Sequence, residues 1–195
     1  MAHKKVKLIL ILGGAYLEKS NKRKIKKNKI FIDWVIPIVS ALIIAFLVKT
    51  YIFFNIYVPT GSMIPTINKD DKLLVSKIFD LNNLKRGDTI VFYSQEFSET
   101  LIKRLIGLPG DKVEIKNGLV SVNGELLQED YVKNKDKYNG TFDVPNGKYF
   151  FLGDNRPVSK DARLWVNPYI DSSDIKGKAQ FIFYPFVDFG ILKNN

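Results

Sequence analysis

From Ile30 to Val48 the chain reads IFIDWVIPIVSALIIAFLV, nineteen residues broken by a single charge, Asp33. At the α-helical rise such a run spans about 28 Å, the thickness of a bilayer's hydrocarbon. Trp34 at one end and Tyr51, Phe53 and Phe54 at the other are placed as interfacial anchors, and Lys49 can snorkel to the headgroups. Pro37 lies near the first turn, where a helix tolerates it. After residue 56 the period changes to two. Leu73–Val75, Thr89–Tyr93, Lys112–Ile115, Leu119–Val122, Lys148–Leu152 and Ala179–Tyr184 read as short strands, separated by turn signals. Those signals are Arg86-Gly87-Asp88, Pro109-Gly110-Asp111, Asn117-Gly118, Asn123-Gly124 and Pro145-Asn146-Gly147, and Asn117-Gly118 predicts a two-residue hairpin. Glu125–Gly140 is polar and rich in Lys and Asn, and reads as a long surface excursion. The predicted architecture is mostly β: a single N-terminal transmembrane helix followed by an antiparallel sheet or barrel-like domain. The expected divisions are a tail over 1–29, an anchor over 30–53 and a β domain over 54–195.

Charge sharpens this organisation. The formal net charge of +10 comes from 30 basic and 20 acidic residues, yet residues 1–29 hold ten Lys/Arg against the one acid Glu18. The remaining chain is close to neutral, so a nucleic-acid surface, which needs positive charge on the folded domain, is not expected. A basic run alone is most often a solvated tail. Directly before an apolar run of spanning length it predicts a cytoplasmic N-terminus and everything after about residue 53 outside, in a single-pass protein of the cell membrane. A core helix would seldom follow so dense a basic cluster. Leu8–Leu12 is too short for a signal-peptide core, and residues 1–17 read as a cytoplasmic or interfacial segment.

Two absences narrow the chemistry. Cysteine does not occur, and the one histidine, His3, sits beside Lys4 and Lys5 in the tail. Thiol nucleophiles, thiolate metal sites and a serine–histidine–aspartate triad are therefore excluded, and neither a metal nor another cofactor is expected. Nucleophilic catalysis in this chain would need Ser or Thr attacking and a lysine as base.

Three segments stand apart from core and linker. Val58-Pro59-Thr60-Gly61-Ser62-Met63-Ile64-Pro65-Thr66 brackets one hydroxyl with two prolines, and alone would be a polar loop. Leu101–Asp111 sets Lys103 among apolar residues in a strand-like run that closes on a type II turn at Pro109-Gly110; alone, Lys103 would simply alternate outwards. Gly153-Asp154-Asn155-Arg156-Pro157-Val158-Ser159-Lys160-Asp161-Ala162-Arg163 crowds charged and hydroxyl groups into one loop, which alone would be a salt-bridged turn. A fourth, Asp71–Lys77, is an amphipathic strand. In this order, behind a membrane anchor, Ser-Met-x-Pro-Thr at 62–66, Lys-Arg-x-x-Gly-x-Pro-Gly-Asp at 103–111 and Gly-Asp-Asn-Arg-x-x-Ser-x-Asp-x-Arg at 153–163 resemble type I signal peptidases. These are membrane-bound serine–lysine enzymes that cut signal peptides from exported proteins, and the small size and single anchor are similar to the Gram-positive-type members.

The resemblance implies Ser62 as nucleophile, Lys103 as base and Ser159 as the group that aims the amine. It implies an oxyanion hole from the Ser62 backbone N–H and the Thr60 hydroxyl, an ion pair between Asp161 and Arg163, and a loop braced by Asp154 and Arg156. It implies a wall of Ile56, Val58, Met63 and Ile102 that takes small residues at −1 and −3 of the substrate. The partners it implies are signal-peptide-bearing preproteins, membrane lipid and the export machinery. The chemistry is coherent: a serine needs a base at about 2.6–3.2 Å, and lysine, ordinarily near pKa 10.4, must be desolvated to act as one. Each oxyanion donor is worth roughly 2.7–4 kcal/mol. Two positions depart from the family pattern: Ala162 where Ser is common before the last Arg, and Leu101 where many members carry an aromatic. Ser173-Asp174-Ile175-Lys176 matches the Ser-x-x-Lys of penicillin-binding enzymes but lacks their helical, larger fold. Two other readings compete: a self-cleaving repressor-type serine–lysine peptidase, disfavoured by an anchor where a DNA-binding domain belongs, and a non-catalytic tethered β module, disfavoured by the retained Ser62, Lys103 and Ser159.

Overall fold

A computed structural model describes residue 29 and residues 31–192. The basic tail, His3 and the Leu8–Leu12 run lie outside the described residues apart from Lys29. The chain divides into two compact units, 1–50 and 51–195.

In the first unit the apolar run is helical. It opens with a π-helical turn, Phe31–Val35, and continues as α1, Ile36–Tyr51. None of its residues is buried, and its 21 residues are long and apolar enough to cross a membrane by length and composition. An uncovered helix of Ile, Leu, Val and Phe needs an apolar solvent rather than water.

The second unit is built from antiparallel strands. Strands β1 (Phe53–Tyr57), β2 (Lys72–Lys77), β3 (Thr89–Ser94), β4 (Glu99–Gly107), β9 (Lys148–Leu152), β10 (Tyr169–Asp171) and β11 (Ile175–Tyr184) form one sheet in the order β1-β2-β11-β3-β4-β9-β10. A short β12 (Gly190–Ile191) adds to β11. A second sheet runs β7-β6-β5-β8, from β5 (Lys112–Lys116), β6 (Leu119–Val122), β7 (Glu125–Leu126) and β8 (Gly140–Asp143). The six sequence-predicted strands are all present. Asn117-Gly118 and Asn123-Gly124 each turn with both residues at positive φ, joining Lys116 to Leu119 and Val122 to Glu125 as tight hairpins.

Alternation decides what each strand buries. Ile90 and Phe92 of β3 enter one apolar cluster with Leu105, Phe150, Phe151 and the inner residues of β5 and β6. Val91, between them, enters a second cluster with Val58, Met63, Ile67, Val75 and Ile102. A strand buried on both faces reads as a continuous apolar run, which is what Thr89–Phe92 shows. Phe92 and Phe151 stack with ring centroids 4.4 Å apart. Truncating either to Ala should cost about 3–5 kcal/mol, measurable as a lowered denaturant midpoint.

One expectation changes. Phe53 and Phe54 belong to a strand and not to the helical segment: α1 ends at Tyr51, and these residues begin β1, paired with Ser76 and Val75. The 125–140 stretch lies at the surface, as expected, and is tied down there. It starts as β7, ends as β8, and buries Val132 between them.

Candidate active site

The segment after β1 is held from below. Val58 N donates to Asp71 O at 2.9 Å, and Ile67 N donates to Met63 O at 3.0 Å. Met63 and Ile67 are fully buried in the second cluster, so the turn is pinned by its apolar residues while Ser62 stays at its upper side, 8% exposed. Two bonds from the 153–163 loop clamp the same step: Asn155 N donates to Ser62 O at 3.0 Å, and Asn155 Nδ2 to Gly61 O at 3.1 Å.

Lys103 comes from the middle of β4, opposite Ile90 of β3. It is 4% exposed, and its Nζ lies 2.6 Å from Ser62 Oγ. Burial pushes the ammonium down to about 8, against the opposing pull of Asp161, Asp154 and Glu99. The next residue, Arg104, is fully buried and points into a polar nest. It grips Asp154 through two bonds, Nε to Oδ1 at 2.8 Å and Nη2 to Oδ2 at 2.6 Å, and donates to Gly87 O at 2.6 Å. Thr66 donates to Asp154 Oδ2 at 2.5 Å, which ties the serine segment into the same nest.

The third segment is a web of charge-assisted bonds. Arg163 binds Asp161 twice, Nε to Oδ1 at 2.7 Å and Nη2 to Oδ2 at 2.9 Å, and Asp161 Oδ2 also accepts from Gly153 N at 2.9 Å. Asp154 and Arg156 do not pair with each other. Asp154 takes Arg104, and Arg156 takes Glu129, Nη2 to Oε1 at 2.5 Å. Ser159 is buried, and its Oγ has no hydrogen-bond partner among the described residues, so it makes no bond to Lys103 Nζ. Its Oγ packs against Gly153, where an added Cβ would fall 2.1 Å away. Ala162 is fully buried in the first cluster, where its methyl suits the apolar surroundings better than a hydroxyl would.

Two cavities meet at this point. One, of about 480 Å³, is lined by Phe54, Ile56, Val58, Thr60, Ile102 and Lys103 among others. The other, of about 360 Å³, is lined by Thr60, Ser62, Phe97, Leu101, Lys103 and Val158 among others. Thr60, Glu99, Leu101 and Lys103 belong to both. Of the four expected wall residues, Ile56, Val58 and Ile102 line the first cavity. Met63 lines neither: its side chain turns down into the second cluster and supports the wall from beneath. Among the described residues no three of His, Asp and Glu converge as metal ligands.

Thr66, Arg104 and Asn155 stand inside the three motifs but carry no role in the sequence reading, and Glu129 lies outside the motifs altogether. For Arg104 a signal existed: two consecutive basic residues inside an apolar strand point to opposite faces, so one is directed inwards whichever way the strand lies.

The family model described as signal peptidase, peptidase S26, matches residues 31–184. The chain is 39% identical over 177 residues to signal peptidase I P of Bacillus subtilis subsp. natto, covering 85% of this chain and 95% of that protein. It is 36% identical over 182 residues to signal peptidase IB of Staphylococcus aureus, covering 83% and 94%. A crystal structure of a signal peptidase I from Enterococcus faecalis aligns with 33% identity and a TM-score of 0.45, over 51% of this chain and 98% of that one. With the matched region running from the helix through β11, the chain belongs to the signal peptidase family, peptidase S26.

Proposed function

We propose that this protein is a membrane-bound endopeptidase that removes signal peptides from exported preproteins, with Ser62 as nucleophile and Lys103 as general base. The observation that carries the reading is the 2.6 Å approach of Lys103 Nζ to Ser62 Oγ, in a site that burial has made hostile to the ammonium. The neutral amine takes the Ser62 proton as Oγ attacks the scissile carbonyl. The oxyanion is met by the Ser62 backbone N–H and the Thr60 hydroxyl. The ammonium of Lys103 then protonates the departing amine, leaving an acyl-enzyme, and water activated by Lys103 hydrolyses it. Ser159, a buried hydroxyl of the 153–163 loop with no hydrogen-bond partner among the described residues, is assigned to orienting the amine. The Asp161–Arg163 and Asp154–Arg104 pairs brace the loop, and Arg156 ties it down through Glu129.

A substrate strand added along the first cavity directs alternate side chains inwards, so −1 and −3 meet the Ile56, Val58 and Ile102 wall. Alanine fits such shallow apolar pockets, while a larger or charged side chain clashes or loses its hydration. In a processing assay with purified, detergent-solubilised protein, Ala→Leu or Ala→Lys at −1 should block cleavage and changes at −2 should be tolerated. Efficient cleavage after a −1 lysine would sink the pocket assignment.

The pH dependence follows from the direction of the Lys103 shift. Only the neutral amine accepts a proton, so the rate should rise with pH and be half-maximal near 8 for the free enzyme. Stability should move in the same sense. Below 8, folded and unfolded chains both hold the ammonium, and the folded one bears its burial; between 8 and the unfolded value of 10.5 the folded chain releases the proton first, and stability rises. A rate flat from about pH 5 to 9 would contradict a lysine base.

The anchor is assigned to the apolar helix that ends at Tyr51, the tail to 1–29 in the cytoplasm and the β domain, which opens with β1 at Phe53, to the outer face, with membrane lipid around the helix and the export machinery delivering substrate. The excess of Lys and Arg before the helix supports this orientation. Protease added to the outside of cells should spare an N-terminal tag and reach the β domain; the reverse pattern would overturn the topology.

A further inference from the structure

The segment between β7 and β8, residues 127–139, has no part in the chemistry proposed above, yet it is tightly held. Gly118 N donates to Tyr138 O at 3.0 Å, and a Cβ on Gly118 would fall 2.0 Å from Asp136 O, so the segment lies directly on the β5–β6 turn. From it, three side chains reach the three arginines of the site. The Tyr131 ring lies 3.9 Å from the Arg104 guanidinium, Asp136 accepts from Arg163 Nη1, and Glu129 Oε1 accepts from Arg156 Nη2 at 2.5 Å. Of the segment's two ion pairs with these arginines, Glu129–Arg156 is the more enclosed, at 5% and 1% side-chain exposure against 26% and 2% for Asp136–Arg163.

Arg156 passes that contact on. Its Nε donates to Gly153 O at 3.0 Å, and its own carbonyl accepts from Arg163 Nη2 at 2.7 Å. Gly153 and Asn155 are the residues against which Ser62 is seated, through Asn155 N to Ser62 O and the close approach of Gly153 to that same oxygen. We propose that Glu129 is a positioning residue for the nucleophile: by pairing with buried Arg156 it holds the Gly153 carbonyl, and so the Gly153–Asn155 turn that fixes the Ser62 backbone. A buried guanidinium left without its carboxylate turns toward water, which releases the Gly153 carbonyl and lets the serine step drift. The proposal rests on Ser62 being the nucleophile, and it assigns to the 127–139 segment the task of a clasp on the loop behind it.

The test compares Glu129→Gln with the double variant Glu129→Leu/Arg156→Met in the solubilised full-length protein. Glu129→Gln should lower kcat by about 10–100-fold with KM within about threefold of wild type, because misplacement rather than lost binding is at fault. Amides of residues 60–64 and 153–159 should exchange about tenfold faster, with those of β5 unchanged. The double variant has no unpaired buried charge, so its melting temperature should return toward wild type while kcat stays low, since nothing then holds Gly153 O. Recovery of kcat together with melting temperature in the double variant would reduce the pair to a structural role and overturn the proposal, as would unchanged kcat and exchange in Glu129→Gln. If the wild-type protein fails to cleave a preprotein, the endopeptidase reading falls by itself, and the exchange measurement still decides whether Glu129 positions the serine segment.

Discussion

Ser62→Ala and Lys103→Met are each expected to lower preprotein cleavage by roughly 10⁴–10⁶-fold, and the double variant by no more than either single one. In the proposed dyad the two groups act as a unit: without the amine the hydroxyl has no acceptor for its proton, and without the hydroxyl the amine has nothing to activate. The chain offers no substitute, since it has no cysteine and its one histidine is His3. Methionine keeps most of the volume of Lys103, and the site is already apolar enough to push the amine down to about 8, so the variant should fold at least as well as wild type. Lys103→Arg makes a sharper control. It retains a cation and a donor, but guanidinium stays protonated and cannot accept. Cleavage by Lys103→Arg at even a few per cent of the wild-type rate, measured by gel shift of a preprotein, would remove the lysine from its role.

Gly153→Ala should be nearly as damaging by a different route. The new Cβ would lie 2.1 Å from Ser159 Oγ, 2.6 Å from Ser159 Cβ and 2.6 Å from Ser62 O. The hydroxyl of Ser159 could rotate away, but the Ser62 carbonyl is backbone, already engaged by Asn155 N, and has no such freedom. Backbone beside Ser62 must therefore shift by at least a few tenths of an ångström. We expect activity to fall by about 10²-fold or more, and stability by about 1–3 kcal/mol from overpacking. Adding Ser159→Gly removes two of the three collisions and leaves the one with Ser62 O, so it should restore more stability than activity. Thermal melts beside a processing assay separate the two. Wild-type activity in Gly153→Ala would mean that the loop does not bear on Ser62 as tightly as these distances require.

How far the sequence could be read followed from how local each feature is. The helix and the principal strands announce themselves because burial on one face, or on both, leaves a period in the chain; β3 and β6 are cases of each kind. The Asn-Gly hairpins announce themselves because few other pairs adopt two successive positive φ values. β1 was hidden because Phe53-Phe54-Asn55-Ile56-Tyr57 directly follows an apolar helix and looks like its aromatic border; only its pairing with β2 makes it a strand. β10 and β12, three and two residues long, exist through their partners alone. At the site, Ser62 and Lys103 were legible through motifs. The partners of Arg156 and Asp154 were not, because Glu129 and Arg104 are 27 and 50 residues away from them and no local pattern joins them. The resemblance puts Met63 on the wall, whereas the turn directs its side chain into the second cluster.

The buried lysine also sets how the enzyme behaves when empty. With its amine titrating at about 8, only about a tenth of the free molecules carry the neutral base at pH 7. A peptide laid across the two cavities shuts out water and disfavours the ammonium further. On the dyad proposed above, the base is thus largely idle in the vacant protein and armed by the arrival of the chain it would cut. The midpoint of the kcat profile, which reports the occupied state, should accordingly lie to the acid side of the midpoint for kcat/KM, which reports the vacant one. The gap between the two is a direct reading of how dry the substrate makes the cleft.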